Sequence, residues 1–231
     1  MANHFKTPVF VLGLPRSGTS MLAGALARCG AWSGTTIPAT DDNPRGFYEH
    51  AIIREQVTKA ILRQLNCDPL GVKRLPPVDI DLKIPTLAQV IKKIIEKDGY
   101  RNSRPWFYKD AKLSLVWPLF ADAFPKARWV YVKRDTESFV NSCLRTQFMH
   151  QHSKDPAFWQ AFAQQYMNRI ERLKASGASV YEISTPPLIG GDFADLQRLI
   201  AQLGLRYNEE RLRKFISPAH WHGDASGKSD G

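Results

Sequence analysis

The sequence predicts an α/β protein of three layers, α/β/α, in which helices cover both faces of a central parallel sheet. Short apolar segments alternate with segments of helical periodicity through most of the 231 residues. The first apolar segment, residues 9–12, has no polar alternation, which is typical of a strand buried on both faces. A loop bounded by Gly13 and Gly18 leads directly from this strand into a helical pattern. Such a strand-loop-helix is expected at the N-terminus of an open parallel sheet.

The same signals predict the other elements in chain order. After the first loop, the apolar residues Met21, Leu22, Ala25 and Leu26 repeat with helical spacing. The later segments WFYK, WVYVK and VYEI are short and mainly apolar, as strands are, and a helix with one apolar face follows WVYVK. The predicted strands lie near residues 8–13, 106–109, 129–133 and 179–183, and the predicted helices near residues 19–29, 50–65, 86–98, 136–151, 157–176, 192–203 and 208–216.

The length of the chain fits one sizeable α/β domain over residues 1–231. Residues 66–85 contain several prolines and little periodicity, which predicts a long connection that could serve as a lid or as part of an acceptor pocket. We expect residues 1–7 and 223–231 to be disordered ends.

Charge and cysteine content narrow the class of protein. The 32 Lys and Arg residues exceed the 22 Asp and Glu residues, so the surface should attract polyanions. These bases are scattered and no nucleic-acid-binding motif is present, so we expect no specific nucleic-acid partner. Cys29, Cys67 and Cys143 are far apart, which favours reduced thiols over a disulfide framework. Without a secretory signal or a transmembrane segment, we expect a soluble, cytoplasmic protein, and the pattern does not indicate its oligomeric state.

Residues 13–20, which we call the first cradle, predict an anion site. The glycines permit a tight turn, and the following helix presents its positive end. A nucleoside-triphosphate loop requires G-x-x-x-x-G-K-[ST]. Here Gly13 and Gly18 have that spacing, but Thr19 stands in the Lys position and the base is Arg16, inside the loop. The loop is therefore P-loop-like but a weak match to an ATP site. The residues that we expect to bind the anion are Arg16, Ser17, Gly18, Thr19 and Ser20.

A second basic site follows the strand at residues 129–133. Arg134 stands at the end of this strand, and Ser142 lies eight residues further on, about two turns along the next helix. An Arg presents a planar fork of donors to a phosphate, and a Ser adds one more hydrogen bond. We call Arg134 and Ser142 the second cradle. Because ligands of such sheets bind beyond the carboxyl ends of the strands, the two cradles could hold opposite ends of one anionic molecule.

The two cradles resemble those of sulfotransferases that use 3′-phosphoadenosine 5′-phosphosulfate (PAPS). The first is similar to the 5′-phosphosulfate loop of that family, and the spacing of the second matches its 3′-phosphate site. Segments at residues 42–50 (DNPRGFYEH), 107–115 (FYKDAKLSL) and 180–187 (VYEISTPP) also resemble bacterial and Golgi-type members. The resemblance implies PAPS as the donor, 3′,5′-ADP as the product, and as the acceptor a hydroxyl of a sugar, a lipid, a peptide tyrosine or a small molecule.

The chain departs from the family pattern at the adenosine end. The K-D-P of the family is Lys109-Asp110-Ala111 here, and the acidic third position of Y-E-D is Ile183. The R-K-G clamp of the cytosolic branch is absent from the sequence. A packed core aromatic is the ordinary interpretation of Tyr181 on its apolar strand, and only the resemblance implies that it meets the adenine.

The candidate catalytic residues follow from the chemistry of the transfer. Sulfuryl transfer, like phosphoryl transfer, depends mainly on positioning and charge neutralisation. A sulfuryl group carries less charge than a terminal phosphoryl group, so we expect Arg16 and Lys109 to stabilise the leaving phosphate without a metal ion. The acceptor proton needs a base, and the sequence offers Glu49, His50 and Asp110. Family members that act on sugars and peptides use a Glu downstream of the first loop, so the resemblance favours Glu49.

Other interpretations of the same residues stay open at this point. Arg134 and Asp135 could form a local ion pair or a helix cap, and Lys109 and Asp110 could pair with other charges at strand ends. Glu49 could simply open a helix, since carboxylates favour a helix N-terminus. For the whole chain, the alternatives are a P-loop nucleoside or nucleotide kinase and a non-catalytic protein that binds nucleotides or polyanions.

Overall fold

The computed structural model describes residues 5–40 and 43–216. Four strands within these ranges form a parallel sheet. Its strands are β1 (Val9–Gly13), β2 (Phe107–Lys109), β3 (Arg128–Lys133) and β4 (Ser179–Ser184). Their order across the sheet is β2-β1-β3-β4. Val11 of β1 pairs with Lys109 on one side and with Val130 on the other. Because every neighbouring pair is parallel, the carboxyl ends of the strands lie at one edge of the sheet.

Helices connect the strands. Between β1 and β2 lie α1 (Thr19–Arg28), a π-helical segment (Ile53–Thr58) that continues into α2 (Lys59–Gln64), and α3 (Leu87–Lys97). Between β2 and β3 lies α4 (Leu113–Ala123). Between β3 and β4 lie α5 (Thr136–Arg145), α6 (Gln147–His150) and α7 (Pro156–Ala175). After β4 come α8 (Thr185–Ile189), α9 (Ala194–Gln202) and α10 (Glu209–Phe215).

The helices cover both faces of the sheet. Side chains alternate along β1, so that Phe10 and Leu12 enter one apolar cluster while Val9 and Val11 enter another. The π-helical segment and α2 to α7 complete the first cluster, and α1 with α8, α9 and α10 completes the second. This arrangement confirms the predicted three-layer α/β/α class.

The structure adds two helices to the predicted set and divides another. Pro118 lies inside α4, where the helix is kinked and Val116 has non-helical φ and ψ angles of −120° and 16°. The prolines of α8 lie in its first turn, where a missing N–H costs no helical hydrogen bond. The predicted helix at residues 136–151 is α5 followed by α6, because Thr146 between them is extended, with a ψ of 120°.

Residues 5 and 6, which we expected to be disordered, pack against Trp106. The ring of Phe5 lies 6.2 Å from that of Trp106, and the indole N–H of Trp106 donates a hydrogen bond to the carbonyl of Lys6 at 2.9 Å. The other residues predicted to be disordered, 1–4 and 223–231, lie outside the described ranges.

The predicted long connection at residues 66–85 lies against α7. The hydroxyl of Tyr166 donates a hydrogen bond to the carbonyl of Gly71 at 2.8 Å. The guanidinium of Arg169 donates to the carbonyl of Pro76 at 2.5 Å. These bonds tie the connection to the body of the protein, so it is not a free lid.

Candidate active site

The first cradle turns sharply between β1 and α1. Gly18 has a φ of 88°, and a Cβ atom there would lie 2.6 Å from Cγ2 of Thr185, so both the backbone and the packing require glycine. Ser17 is buried, and its hydroxyl donates a hydrogen bond to the backbone carbonyl three residues earlier at 2.7 Å. Arg16 is exposed and has a φ of 63°, a left-handed conformation that is strained for a non-glycine residue. Strain of this kind concentrates at functional sites.

The N-terminal turn of α1 presents its backbone N–H groups to the first cradle. Gly18 is the N-cap residue, and among the described residues no side chain caps this turn. The turn contains no acidic residue, so the positive end of the helix is not neutralised from within the helix. Thr19 is buried and Ser20 is half-buried beside it. An anion placed here would meet backbone N–H groups and hydroxyls together.

Arg134 of the second cradle lies beside the first cradle. A guanidinium nitrogen of Arg134 donates a hydrogen bond to the backbone carbonyl of Arg16 at 2.5 Å. Asp135 caps α5 by accepting a hydrogen bond from the backbone N–H of the third helical residue at 2.7 Å. Ser142 lies further along α5 and is only 8% exposed. Burial raises the pKa of the neighbouring Cys143 to about 12, and the charges of Arg16 and Arg134 oppose this rise.

Lys109 joins the first cradle to a buried carboxylate. It is the last residue of β2 and is only 3% exposed. Its ammonium donates hydrogen bonds to the hydroxyl of Ser20 at 3.1 Å and to Oε1 of Glu49 at 2.8 Å. The parallel pairing of β2 with β1 brings this ammonium to the start of α1.

Glu49 lies between cations. Its Oε1 contacts Lys109, and its Oε2 lies 2.8 Å from Nε of Arg54. Burial raises the pKa of Glu49, but the charges of Lys109, Lys112 and Arg54 outweigh this effect and lower the pKa to about 2. The preceding residue, Tyr48, has a φ of 55°, a second strained position next to the site. Glu49 is therefore a carboxylate within a buried cluster of charges.

The side chain of His50 contacts other groups than that of Glu49 does. Its Nε2 lies 3.2 Å from Oδ2 of Asp98, and its Nδ1 accepts a hydrogen bond from the backbone N–H of Ile53 at 3.4 Å. Burial lowers the pKa of His50, although the carboxylate of Asp98 opposes this. Both contacts lie away from the cradles.

Asp110 is fully buried and anchors the end of β2. It accepts hydrogen bonds from the hydroxyl of Tyr108 at 2.9 Å and from the backbone N–H of Lys112 at 2.9 Å, and it forms an ion pair with the Lys112 ammonium at 2.8 Å. The Tyr108 hydroxyl also shares a hydrogen bond of 2.8 Å with the hydroxyl of Thr58. These contacts match the structural interpretation of Asp110 as an ion-pair partner.

Tyr181 lies in the middle of β4, where it pairs with Val130 and packs against the apolar cluster on the α1 side. The strand continues past it to Ser184. The residue after this strand, Thr185, reaches the first cradle, and its hydroxyl donates a hydrogen bond to the carbonyl of Ser17 at 3.4 Å. Thr185 is not among the site residues predicted from the sequence, although a hydroxyl directly after a parallel strand was an available signal.

Two further cations of the site were missed from the sequence. Arg54 follows Glu49 by five residues and lies in the π-helical segment, and Lys112 follows Lys109 by three residues. No local pattern distinguishes them from the other Lys and Arg residues of this basic chain. Only the contacts with Glu49 and Asp110 identify them.

A cleft of about 470 Å³ opens away from both cradles, between Trp117 of α4 and Arg172 of α7. Ser176, which also lines it, precedes β4, so the cleft lies towards the amino edge of the sheet. The candidate site is therefore distinguished by its charges and hydrogen-bond donors and not by the shape of this cleft.

The described ranges contain neither a candidate metal site nor a candidate membrane-spanning helix. Residues 5–40 and 43–216 contain no group of three or more His, Cys, Asp or Glu side chains that could hold a metal ion. Within the same ranges, no helix combines the length and the apolar character needed to cross a membrane.

Residues 8–209 match the model of the sulfotransferase family. The sulfotransferase domain of the olefin synthase from Synechococcus PCC 7002 is similar in structure, with a TM-score of 0.61 and 17% identity over 94% of this chain and 87% of that chain. A sulfotransferase from Mycobacterium avium gives a TM-score of 0.60 and 12% identity over 96% of this chain and 70% of that chain. The sulfotransferase domain from the curacin biosynthetic pathway gives a TM-score of 0.57 and 15% identity over 96% of this chain and 80% of that chain. At these identities the likeness concerns the fold, and no curated protein matches the sequence significantly.

Proposed function

Because this chain belongs to the sulfotransferase family, we propose that it transfers a sulfuryl group from PAPS to an acceptor hydroxyl. The observation that supports the proposal is the hydrogen bond from Arg134 to the carbonyl of Arg16, which keeps the guanidinium of Arg134 beside the first cradle. PAPS carries a phosphosulfate and a separate phosphate on one adenosine, so it needs two adjacent anion sites. The family match favours this reaction over that of a nucleoside kinase.

The residues of both cradles fit this donor. The first turn of α1 offers backbone N–H groups without an acidic partner in that turn, which suits a phosphosulfate. In this proposal Ser17, Thr19 and Ser20 would add their hydroxyls beside it, and that of Ser17 would have to leave the carbonyl to which it now donates. Arg134 and Ser142 would hold the 3′-phosphate through a guanidinium and a hydroxyl. Tyr181 is the proposed neighbour of the adenine, and this assignment comes only from the resemblance of its segment to the family.

The cations of the first cradle have a catalytic role in this proposal. PAPS, when bound, supplies an activated sulfuryl group, and 3′,5′-ADP is the leaving product. Lys109 and Arg16 would stabilise the negative charge that develops on the leaving phosphate oxygen. Lys109 suits this role because it is buried beside Ser20, where charge interactions are stronger than in water. Two side-chain cations would thus act without a metal ion.

Glu49 is the proposed base for the acceptor hydroxyl, because Lys109 links it to Ser20 of the first cradle, whereas His50 and Asp110 contact groups outside the cradles. The acceptor oxygen would form its bond to sulfur as the bond from sulfur to the phosphate oxygen breaks, and the hydroxyl proton would pass to Glu49. A carboxylate with a pKa of about 2 is a weak base. If Lys109 turns from Oε1 towards the donor, the opposing charge moves away and the basicity of Glu49 rises.

We also propose a cytoplasmic location. Cys29, Cys67 and Cys143 are free cysteines, and a reducing compartment keeps thiols in that state.

Transfer of label from ³⁵S-labelled PAPS to a panel of sugars, lipids, tyrosine peptides and phenols, with EDTA present, tests this function. We expect a labelled acceptor and release of 3′,5′-ADP. Tight binding of ATP with Mg²⁺, and none of 3′,5′-ADP, would contradict the proposed donor.

The role of Glu49 has its own test. Glu49→Gln should bind 3′,5′-ADP as the wild type does and should lower turnover by about 100-fold or more. Glu96→Gln is the matched control, since Glu96 is an exposed carboxylate of α3 that belongs to neither cradle. Full turnover of Glu49→Gln would remove the proposed base.

A further inference from the structure

The two oxygens of Glu49 are held by cations from different parts of the fold. Lys109 approaches Oε1 from the end of β2 and also contacts Ser20 in the first turn of α1. Arg54 approaches Oε2 from the π-helical segment. Both distances are 2.8 Å. One cation therefore faces the first cradle, while the other belongs to a separate element.

Arg54 is itself held in place. A terminal guanidinium nitrogen lies 2.5 Å from Oε1 of Glu55, and the ammonium of Lys59 lies 2.8 Å from the same oxygen. At the other end of the π-helical segment, the hydroxyl of Thr58 shares a hydrogen bond with that of Tyr108 in β2. The segment that carries Arg54 is thus fixed to the strand that carries Lys109. Single π-helical turns within helices are often found at functional sites.

From this geometry we propose that Arg54 is a positioning residue for Glu49, a role that rests on the proposed function. Arg54 keeps hold of Oε2 when Lys109 leaves Oε1 to bind the donor. Oε1 is then left facing the first cradle, ready to accept the proton of the acceptor hydroxyl. Glu49 is 7% exposed, so without Arg54 a carboxylate that had lost Lys109 would have to take up a proton from solvent or move with Lys109.

The charged and titratable groups around Glu49 come from three elements. Lys109 and the buried hydroxyl of Tyr108 lie in β2, Lys112 lies just before α4, and Arg54 lies in the π-helical segment. Burial raises the pKa of Tyr108, so its hydroxyl stays neutral. Removal of Arg54 leaves all of the other groups in place.

Carboxyl NMR of protein labelled with ¹³C-glutamate tests this role without any turnover, and the spectrum of Glu49→Gln assigns the Glu49 signal. In the wild type we expect this signal to stay flat from pH 7 down to about pH 4. In Arg54→Gln its midpoint should rise by about one pH unit or more, because one of the adjacent cations is gone. Arg63→Gln is the matched control, since it removes one positive charge from the exposed face of α2, the helix that continues the π-helical segment. We expect it to leave the Glu49 signal unchanged.

An unmoved midpoint in Arg54→Gln, or equal shifts in Arg54→Gln and Arg63→Gln, would overturn the proposal. A crystal structure of the wild-type protein with 3′,5′-ADP provides a second measurement that needs no variant. We expect Lys109 to have left Glu49 and Arg54 to have stayed. A complex in which Glu49 keeps Lys109 or loses Arg54 would also overturn it. Failure of the sulfate-transfer assay alone would count against the proposed function and would leave the titration result standing.

Discussion

The first cradle is built mainly from backbone, whereas the second depends on two side chains. Residues 13–20 turn between β1 and α1, with Ser17 buried and Gly18 packed against Thr185. The second cradle consists of the guanidinium of Arg134, which follows β3, and the hydroxyl of Ser142 in α5, and Arg134 donates a hydrogen bond to the first cradle. Changes in the first cradle should therefore affect folding and binding together, while changes in the second should affect binding alone.

Gly18→Ala should have the largest effect, because it places a Cβ atom 2.6 Å from Thr185 on a backbone with a φ of 88°. We expect the free energy of unfolding to fall by about 1–3 kcal/mol. The affinities for 3′,5′-ADP and 5′-AMP should fall together, since both ligands need the first cradle. Urea unfolding and calorimetric titration measure the two effects.

Gly30→Ala is the matched control for this change. Gly30 also has a positive φ, 99°, but an added Cβ would meet nothing within 4 Å. It should show backbone strain alone and bind both ligands normally. If Gly18→Ala were as stable as Gly30→Ala and bound both ligands, the first cradle would not be the rigid backbone site described here.

Arg134→Ala should have the next largest effect and should leave the fold intact. We expect the affinity for 3′,5′-ADP to fall by about 10- to 100-fold, as for the loss of hydrogen bonds between charged groups. The affinity for 5′-AMP, which has no 3′-phosphate, should change far less. Calorimetric titration of both ligands measures this difference.

Lys133→Ala is the control for the loss of one positive charge, because Lys133 is the neighbouring residue and pairs with Glu182 at 3.0 Å. It should leave both affinities nearly unchanged. Equal losses for the two ligands in Arg134→Ala would mean that Arg134 serves the first cradle and not a separate 3′-phosphate site.

Ser142→Ala should have the smallest effect. A single neutral donor is lost, so the affinity for 3′,5′-ADP should fall by about 2- to 10-fold while that for 5′-AMP stays the same. Ser142 is 8% exposed, and unchanged binding of 3′,5′-ADP would show that its hydroxyl stays turned away from the ligand. The same titrations decide this.

Local patterns were sufficient for the sheet and for the first cradle. The apolar run before Gly13 and the helical spacing after Gly18 depend only on neighbouring residues, and both are present as β1 and α1. Helices α4 and α8 were not predicted, because both contain proline and proline usually ends a helix. The kink near Pro118 and the first-turn position of the prolines in α8 depend on packing, which a local pattern does not contain.

By itself, the sequence determined the α/β class, the order of the two cradles and the residue types that they contain, because local periodicity encodes backbone conformation and burial. Only the tertiary structure decided that Glu49 meets Lys109, a residue 60 positions away, and that Arg54 holds the other oxygen. It also decided that Thr185 reaches the first cradle. Such contacts depend on how the parallel strands are ordered and where they end, which no local pattern specifies.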